Sequence, residues 1–137
     1  MNINDTLKFM NVGLPEDILR RKIHGDYEGA IRLIDRRLTE GNLPDALRFS
    51  LEVHKMICQR LPLEFPYSKA DCMAIIRNDI PDFTEEEFDE LVDQRNVRWI
   101  YVNGEMRYFN RFYSSLCKAV PEFGKRAQQQ VGGMESL

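Results

Sequence analysis

Apolar residues recur at helical spacing along most of the chain. Between residues 26 and 60 they fall three or four positions apart in two successive runs, which a polar Gly-Asn link separates. This spacing gathers apolar side chains on one face of each helix, so the pattern predicts an antiparallel helical hairpin. Asp26 can cap the first helix, whose apolar positions are Tyr27, Ala30, Ile31, Ile34 and Leu38.

The second helix of this hairpin is predicted from Pro44 to about Arg60 and is apolar on more than one face. Its apolar residues are Leu47, Phe49, Leu51, Val53, Met56 and Ile57. An apolar surface of this width predicts packing against neighbours on two sides. Pro62 and Pro66 then predict an extended connection from Leu61 to Tyr67, because proline disfavours helix.

Two further helices are predicted to begin with capping boxes. Ser68 is followed three residues later by Asp71, and Thr84 is followed by Glu87, so each pair can exchange bonds between side chain and backbone. A short helix before the helical hairpin and two helices after residue 110, the last reaching about Gln130, complete the series. The pattern therefore predicts six to seven helices.

Between residues 97 and 109, the spacing of apolar residues changes from that of a helix to that of a strand. This segment is rich in β-branched and aromatic residues and has Asn103-Gly104 at its centre, the preferred pair for a two-residue type I′ turn. The turn fixes the register of one antiparallel β-hairpin. The face predicted to be buried carries Val97, Trp99, Tyr101, Met106 and Tyr108. The face predicted to meet solvent carries Arg98, Ile100, Val102, Glu105 and Arg107.

These elements predict a mainly α fold with one antiparallel β-hairpin (97–109). The 137 residues, 43% of them hydrophobic, suffice for one domain with a core. We predict an N-terminal arm (1–13), a single helical domain (14–130) and a loose tail (131–137). Within the domain, the helical hairpin 26–60 packs on a helix-helix-hairpin-helix segment, 68–130.

The net charge of the chain indicates which class of partner it can bind. The net charge is -3 and the isoelectric point about 5.5, without the basic excess of a dedicated nucleic-acid binder. The order helix, helix, β-hairpin over residues 68–109 also fits a winged-helix domain. The second of these helices would then face DNA phosphates with its acids, which disfavours this alternative without removing it. These acids are Glu85, Glu86, Glu87, Asp89, Glu90 and Asp93.

His54 and Cys58 lie four residues apart on one predicted helix, so their side chains could meet. A catalytic thiol also needs an orienting group and an environment that lowers its pKa, and the middle of a helix offers no such environment. We predict a core cysteine beside a partly exposed histidine, with a small Cys/His enzyme as the alternative. Cys72 would bring a zinc site to three ligands of the usual four, so no metal and no cofactor is predicted.

The start of the chain favours a cytoplasmic location. Residues 1–10 are broken by Asn2, Asn4, Asp5 and Lys8 and do not form the apolar run of a secretory signal. The chain has no apolar stretch of about 20 residues and is predicted not to cross a membrane. Three widely spaced cysteines are then predicted to be reduced thiols.

The second half of the chain resembles a known family. The stretches 77–91 (RNDIPDFTEEEFDEL), 99–109 (WIYVNGEMRYF) and Asn110-Arg111-Phe112 are similar to the helical region that precedes the core of bacterial transglutaminase-like proteins. The resemblance implies a neighbouring papain-like core with a Cys-His-Asp triad. Both histidines precede Cys58, so no triad residue is carried over to this chain.

We therefore predict a non-catalytic accessory or interaction module, the N-terminal part of a transglutaminase-like protein. Its partner is a further domain of the same protein or another protein, and the sequence leaves the oligomeric state open. The predicted partner surface consists of Arg95, Arg98, Arg107 and Arg111 on and beside the open face of the hairpin, with any exposed aromatic residue of Leu61 to Tyr67.

Overall fold

Seven helices and one two-stranded antiparallel sheet make up the computed structural model, which describes residues 13–135. The helices are α1 (Glu16–Ile23), α2 (Tyr27–Leu38), α3 (Asp45–Glu64), α4 (Lys69–Asp79), α5 (Glu85–Asp93), α6 (Phe112–Ala119) and α7 (Pro121–Glu135). The strands are β1 (Trp99–Val102) and β2 (Glu105–Tyr108). The predicted mainly α fold with one β-hairpin is confirmed.

The chain divides into two compact units. Unit 1 comprises the residues up to Glu64 together with the hairpin tip, Tyr101–Glu105. Unit 2 comprises Phe65–Ile100 and the residues from Met106 onward. The single domain predicted for 14–130 stays a prediction.

Unit 1 is built from α1, α2 and α3, with α2 packed on both of the others. Asp26 caps α2 as predicted, since its carboxylate accepts a hydrogen bond of 3.0 Å from the Gly29 N–H. Ile18 of α1, Ile34 of α2 and Leu51 of α3 are fully buried, one from each helix. The apolar stripe read from the sequence therefore forms the core of this unit.

The hairpin tip approaches the turn between α1 and α2. The Asn103 N–H donates a hydrogen bond of 3.0 Å to the Gly25 carbonyl oxygen. Gly25 has a φ of +80°, and a Cβ placed on it would lie 2.3 Å from the Tyr101 carbonyl oxygen. Glycine is required here both by the left-handed backbone and by the close approach of a second backbone segment.

The extended connection predicted from Leu61 to Tyr67 is wrong over its first half. Helix α3 continues to Glu64 and includes Pro62. Pro62 lies in the last turn, where the missing N–H removes one intrahelical bond, and the burial of Leu61 to 5% exposure favours keeping the helix. The extended part is short and pairs with the hairpin, because the Tyr108 N–H donates to the Tyr67 carbonyl oxygen at 2.8 Å.

The predicted burial of the two hairpin faces is wrong near the tip. Tyr101 was expected in the core and is 45% exposed, while Ile100 was expected in solvent and is 5% exposed. The prediction assumed that buried and exposed side chains alternate along the whole hairpin, as they do when a hairpin lies flat on one core. Here the tip is held by backbone contacts to Gly25, so the core side of the hairpin does not continue to its end.

Unit 2 has an aromatic core. Both predicted capping boxes are present, at Ser68 for α4 and at Thr84 for α5. Phe88 of α5 packs edge-on against Tyr108 of β2, with ring centroids 5.1 Å apart. Fully buried residues of this core include Cys72, Ile76, Ile80, Phe88 and Leu116. The two helices, the base of the hairpin and α6 thus share one apolar interior.

The tail predicted to be loose at 131–137 is helical over most of its length. Helix α7 was expected to end near Gln130 but runs to Glu135. Phe123 and Ala127 anchor its first turns in the core of unit 2, and two glycines weaken a helix without ending it. Residues 136–137 lie outside the described residues, as do residues 1–12 of the predicted arm.

Candidate functional site

Two arginines of unit 2 lie over one aromatic ring. The guanidinium carbon of Arg98 is 5.6 Å from the centre of the Phe109 ring, and that of Arg111 is 5.9 Å from it. Phe109 is fixed by its N–H, which donates to the Arg98 carbonyl oxygen at 3.1 Å, and by the ring of Phe65 at 5.5 Å. We refer to Arg98 and Arg111 as the arginine pair.

Both side chains of the arginine pair are exposed. Neither forms an ion pair with a carboxylate of the residues that the structure describes. Stacking on an aromatic ring is favourable for guanidinium and leaves its N–H groups directed at solvent. The arrangement can therefore bind an anion, with carboxylate matched most closely by the planar fork of donors.

The other two predicted site residues lie elsewhere on unit 2. Arg95 is exposed and follows α5 with a φ of +62°. Arg107 is half-buried on β2 and lies close enough to Asp71 to lower the pKa of that carboxyl, although the hydrogen bond from the Ser68 N–H lowers it more. Contacts with the Phe109 ring are shown for Arg98 and Arg111. The predicted partner surface that also includes Arg95 and Arg107 stays a prediction.

The aromatic residues of the segment Leu61 to Tyr67 are at least half-buried. Phe65 is 1% exposed, and Tyr67 is half-buried with its ring edge-on to Phe112 at 5.8 Å. The short extended segment thus packs its aromatic side chains inward, and a partner role for Tyr67 stays a prediction. Phe109 was not singled out from the sequence, and its neighbours Arg98 and Arg111 were the only signal that could have pointed to it.

Several acidic residues in and just before α5 form ion pairs with basic residues of neighbouring helices. Lys69 Nζ lies 2.7 Å from an Asp89 carboxylate oxygen, and Arg126 lies 3.0 Å from Glu87 and 3.1 Å from Asp82. Carboxylates in the first turn of a helix also complement its dipole. These acids stabilise unit 2 and present negative charge on the helix that a winged-helix domain would insert into DNA.

A buried polar pair lies in unit 1. Lys22 of α1 is 5% exposed and His54 of α3 is 2% exposed, and the Lys22 Nζ is 2.9 Å from His54 Nδ1. The prediction that His54 is partly exposed is therefore wrong, since position 54 turns toward the core with Leu51 and Cys58. A charged lysine can only donate, so Nδ1 is the acceptor and the ring proton belongs on Nε2.

The burial of Lys22 was not predicted from the sequence. It lies four residues after Ile18, which lies four after Leu14, so it continues the apolar stripe of α1. A lysine on such a stripe is a recognisable signal of a buried amine. The long aliphatic chain of a lysine normally extends its charged amine into solvent, so the pattern alone did not predict that the amine of Lys22 is buried.

The thiol beside this pair is poorly suited to nucleophilic chemistry. Burial raises the pKa of Cys58, with the charge of Lys22 acting weakly in the opposite direction. Burial likewise lowers the pKa of Lys22. The protonated thiol is the unreactive form, and Cys58 is 1% exposed. A surface pocket of unit 1 is lined by other residues: Asp17, Arg20, Arg21, His24, Asp26 and Leu33.

Metal ligands do not assemble in the part of the chain that the structure describes. No group of three or more His, Cys, Asp or Glu side chains there could hold a metal ion. Within the same range, no helix has both the length and the apolar character needed to cross a membrane.

Comparisons of the chain with protein-family models, with curated proteins and with solved structures gave no match.

Proposed function

We propose that the chain is a non-catalytic, cytoplasmic interaction module that binds an acidic segment of a protein through the arginine pair. The observation that carries this proposal is the stacking of two exposed guanidinium groups, neither of which forms an ion pair within residues 13–135, on the single ring of Phe109. A long side chain held against a ring has fewer rotamers to lose when it binds, so the pair is partly preorganised.

The acidic segment belongs, in this proposal, to a further domain of the same protein. The similarity of residues 77–112 to the region preceding a transglutaminase-like core supports a papain-like domain as that neighbour. The burial of Cys58, which also raises the pKa of its thiol, supports a module in which this cysteine is not a nucleophile.

The test is the affinity of the full chain for a synthetic peptide rich in glutamate, measured by isothermal titration calorimetry at low salt. We expect the double variant Arg98→Glu/Arg111→Glu to weaken binding by about tenfold or more, because two charge-assisted contacts become repulsive. Arg32→Glu/Arg36→Glu, an equal change in charge at two exposed positions of α2, is the matched control and should leave the affinity within about twofold.

Duplex DNA of about two helical turns serves as the competing probe. Tighter binding of DNA than of the acidic peptide would overturn the proposal in favour of a nucleic-acid-binding module. Equal loss of peptide affinity in Arg32→Glu/Arg36→Glu and in Arg98→Glu/Arg111→Glu would show a general charge effect and would also overturn it.

A further inference from the structure

Helix α3 exposes a line of large apolar side chains on the face that points away from the core of unit 1. Phe49 is 69% exposed, Met56 is 54% exposed and Leu63 is 77% exposed. They are spaced by seven residues, and a straight helix turns only about 20° from exact repetition over each seven. The three side chains therefore form one stripe about 20 Å long, at a rise of about 1.5 Å per residue.

The buried residues of α3 lie on the opposite side. Leu51 and Cys58 each follow a stripe residue by two positions, a rotation of about 200° around the helix, and both are at most 1% exposed. The sequence predicted packing on two sides of this helix. Among the described residues of unit 1, the side of α3 that carries Leu51 and Cys58 is buried, whereas the side that carries Phe49, Met56 and Leu63 is exposed.

The charges beside the stripe indicate what kind of molecule fits it. Glu52 and Arg60 lie four positions before and after Met56, while Arg48 and Glu64 lie eight positions before and after it. None of the four makes an ion pair within the described residues. An antiparallel copy centred on Met56 brings each of these residues to the level of one with opposite charge.

We propose that two copies of this chain associate through the stripe Phe49–Met56–Leu63, with their α3 helices antiparallel and Met56 at the two-fold axis. Phe49 of each copy then lies level with Leu63 of the other. Parallel pairing would instead set Glu52 against Glu52 and Arg60 against Arg60. A two-fold interface of this kind is self-complementary, as closed dimers require.

The stripe has one large apolar residue per seven, where a coiled coil has two. The dimer is accordingly expected to be weak, with a dissociation constant of roughly 10 µM to 1 mM. This inference goes beyond the binding of an acidic partner and uses a different unit of the molecule.

The first experiment is sedimentation equilibrium of the full chain across that concentration range. We expect Met56→Glu to weaken dimerisation by at least about tenfold, because it sets two like charges at the axis. Glu52→Arg and Arg60→Glu should each weaken it by about threefold to tenfold, and the combined swap should restore it, as expected for exposed ion pairs. Arg98→Glu/Arg111→Glu is the control and should dimerise as the unaltered chain does.

The second experiment fixes the orientation by disulfide trapping in a Cys117→Ser background, where the remaining native thiols are buried. Met56→Cys should form a covalent dimer on mild oxidation. Phe49→Cys alone should not, whereas Phe49→Cys mixed with Leu63→Cys should, because those positions meet only across antiparallel helices.

A monomer throughout the concentration range overturns the proposal. So does a dimer that Met56→Glu leaves unchanged, and so does ready trapping of Phe49→Cys alone, which indicates parallel helices. Deleting residues 1–12 provides the remaining comparison. A monomeric full chain that dimerises after this deletion would identify residues 1–12 as the cover of the stripe and would also overturn it.

Discussion

Lys22 has a buried amine whose charged form is disfavoured by its surroundings. It lies 2.9 Å from His54 Nδ1 in a setting where desolvation lowers the pKa of the amine. The folded protein thus releases the lysine proton at lower pH than the unfolded chain does. Between the lowered pKa and 10.5, unfolding takes up a proton, so the free energy of unfolding rises with pH in this window.

We expect Lys22→Met to remove this rise. Between pH 7 and pH 11, the free energy of unfolding of the unaltered chain should rise relative to that of the variant, by up to about 1.4 kcal/mol for each unit by which the pKa of Lys22 is lowered. Burial raises the pKa of Tyr27 to about 12, which destabilises both proteins alike at high pH. Urea unfolding at several pH values measures the difference, and parallel curves would contradict this account of Lys22.

The three thiols are expected to react at very different rates with Ellman's reagent. Cys58 and Cys72 are at most 1% exposed, and burial raises the pKa of Cys72 to about 12, so both should react only when the structure opens. Cys117 is half-buried and should react roughly 100-fold faster or more, since its labelling needs less opening. Cys117→Ser should abolish the fast phase. A fast phase that persists and maps to Cys58 would revive the enzyme alternative.

At the scale of elements, the turn between α1 and α2 is defined by backbone rather than side-chain packing. Gly25 accepts the hydrogen bond from the Asn103 N–H while its α-carbon faces the Tyr101 carbonyl. Gly104 in the hairpin turn has the same φ of +80° but has open space around it. Substitutions at the two glycines can therefore distinguish the cost of a left-handed backbone, which both share, from the cost of steric overlap, which arises only at Gly25.

Gly25→Ala is expected to destabilise the chain by at least about 2 kcal/mol more than Gly104→Ala does. Both substitutions place alanine in the left-handed region, at about 1–2 kcal/mol each, and only the first also forces two backbone segments apart. Thermal or urea unfolding of the two variants provides the comparison. Equal losses would show that the tip does not depend on close approach at Gly25.

Local signals were sufficient for most element starts. The boxes at Ser68 and Thr84, the cap at Asp26 and the Asn103-Gly104 turn each depend on residues within a few positions of one another, and all are present. The errors arose where tertiary context overrode local preference. Pro62 is a helix breaker by itself, yet it is accommodated in the last turn of α3.

The candidate site was predictable only in part for the same reason. Arg98 and Arg111 were selected because they border the hairpin, but stacking on Phe109 depends on how β2 leads into α6. Arg107 was expected on an open face and is half-buried. The spacing of His54 and Cys58 predicts that their side chains could meet, and this stays a prediction. The contact of His54 with Lys22 joins residues 32 positions apart, and the place of Lys22 on the apolar stripe of α1 was its only local signal.

At the scale of the whole molecule, the two proposed surfaces belong to different units. The apolar stripe lies on α3 in unit 1, and the arginine pair lies in unit 2. A dimer formed through the stripe would carry two arginine pairs, so a partner with two acidic segments would gain affinity wherever its spacing allows both to bind. The acidic α5 favours a protein partner over a nucleic acid at this scale as well.

The most direct test of the proposed function is to locate the binding of the glutamate-rich peptide by nuclear magnetic resonance. Backbone amide shifts of the full chain would be followed as peptide is added at low salt, and again at about 0.5 M salt, where exposed charges are screened. We expect the largest shifts at Arg98, Phe109 and Arg111, with loss of the effect at high salt. Shifts distributed over all basic residues, or centred on α1 and α2 of unit 1, would contradict the assignment of the arginine pair as the binding site.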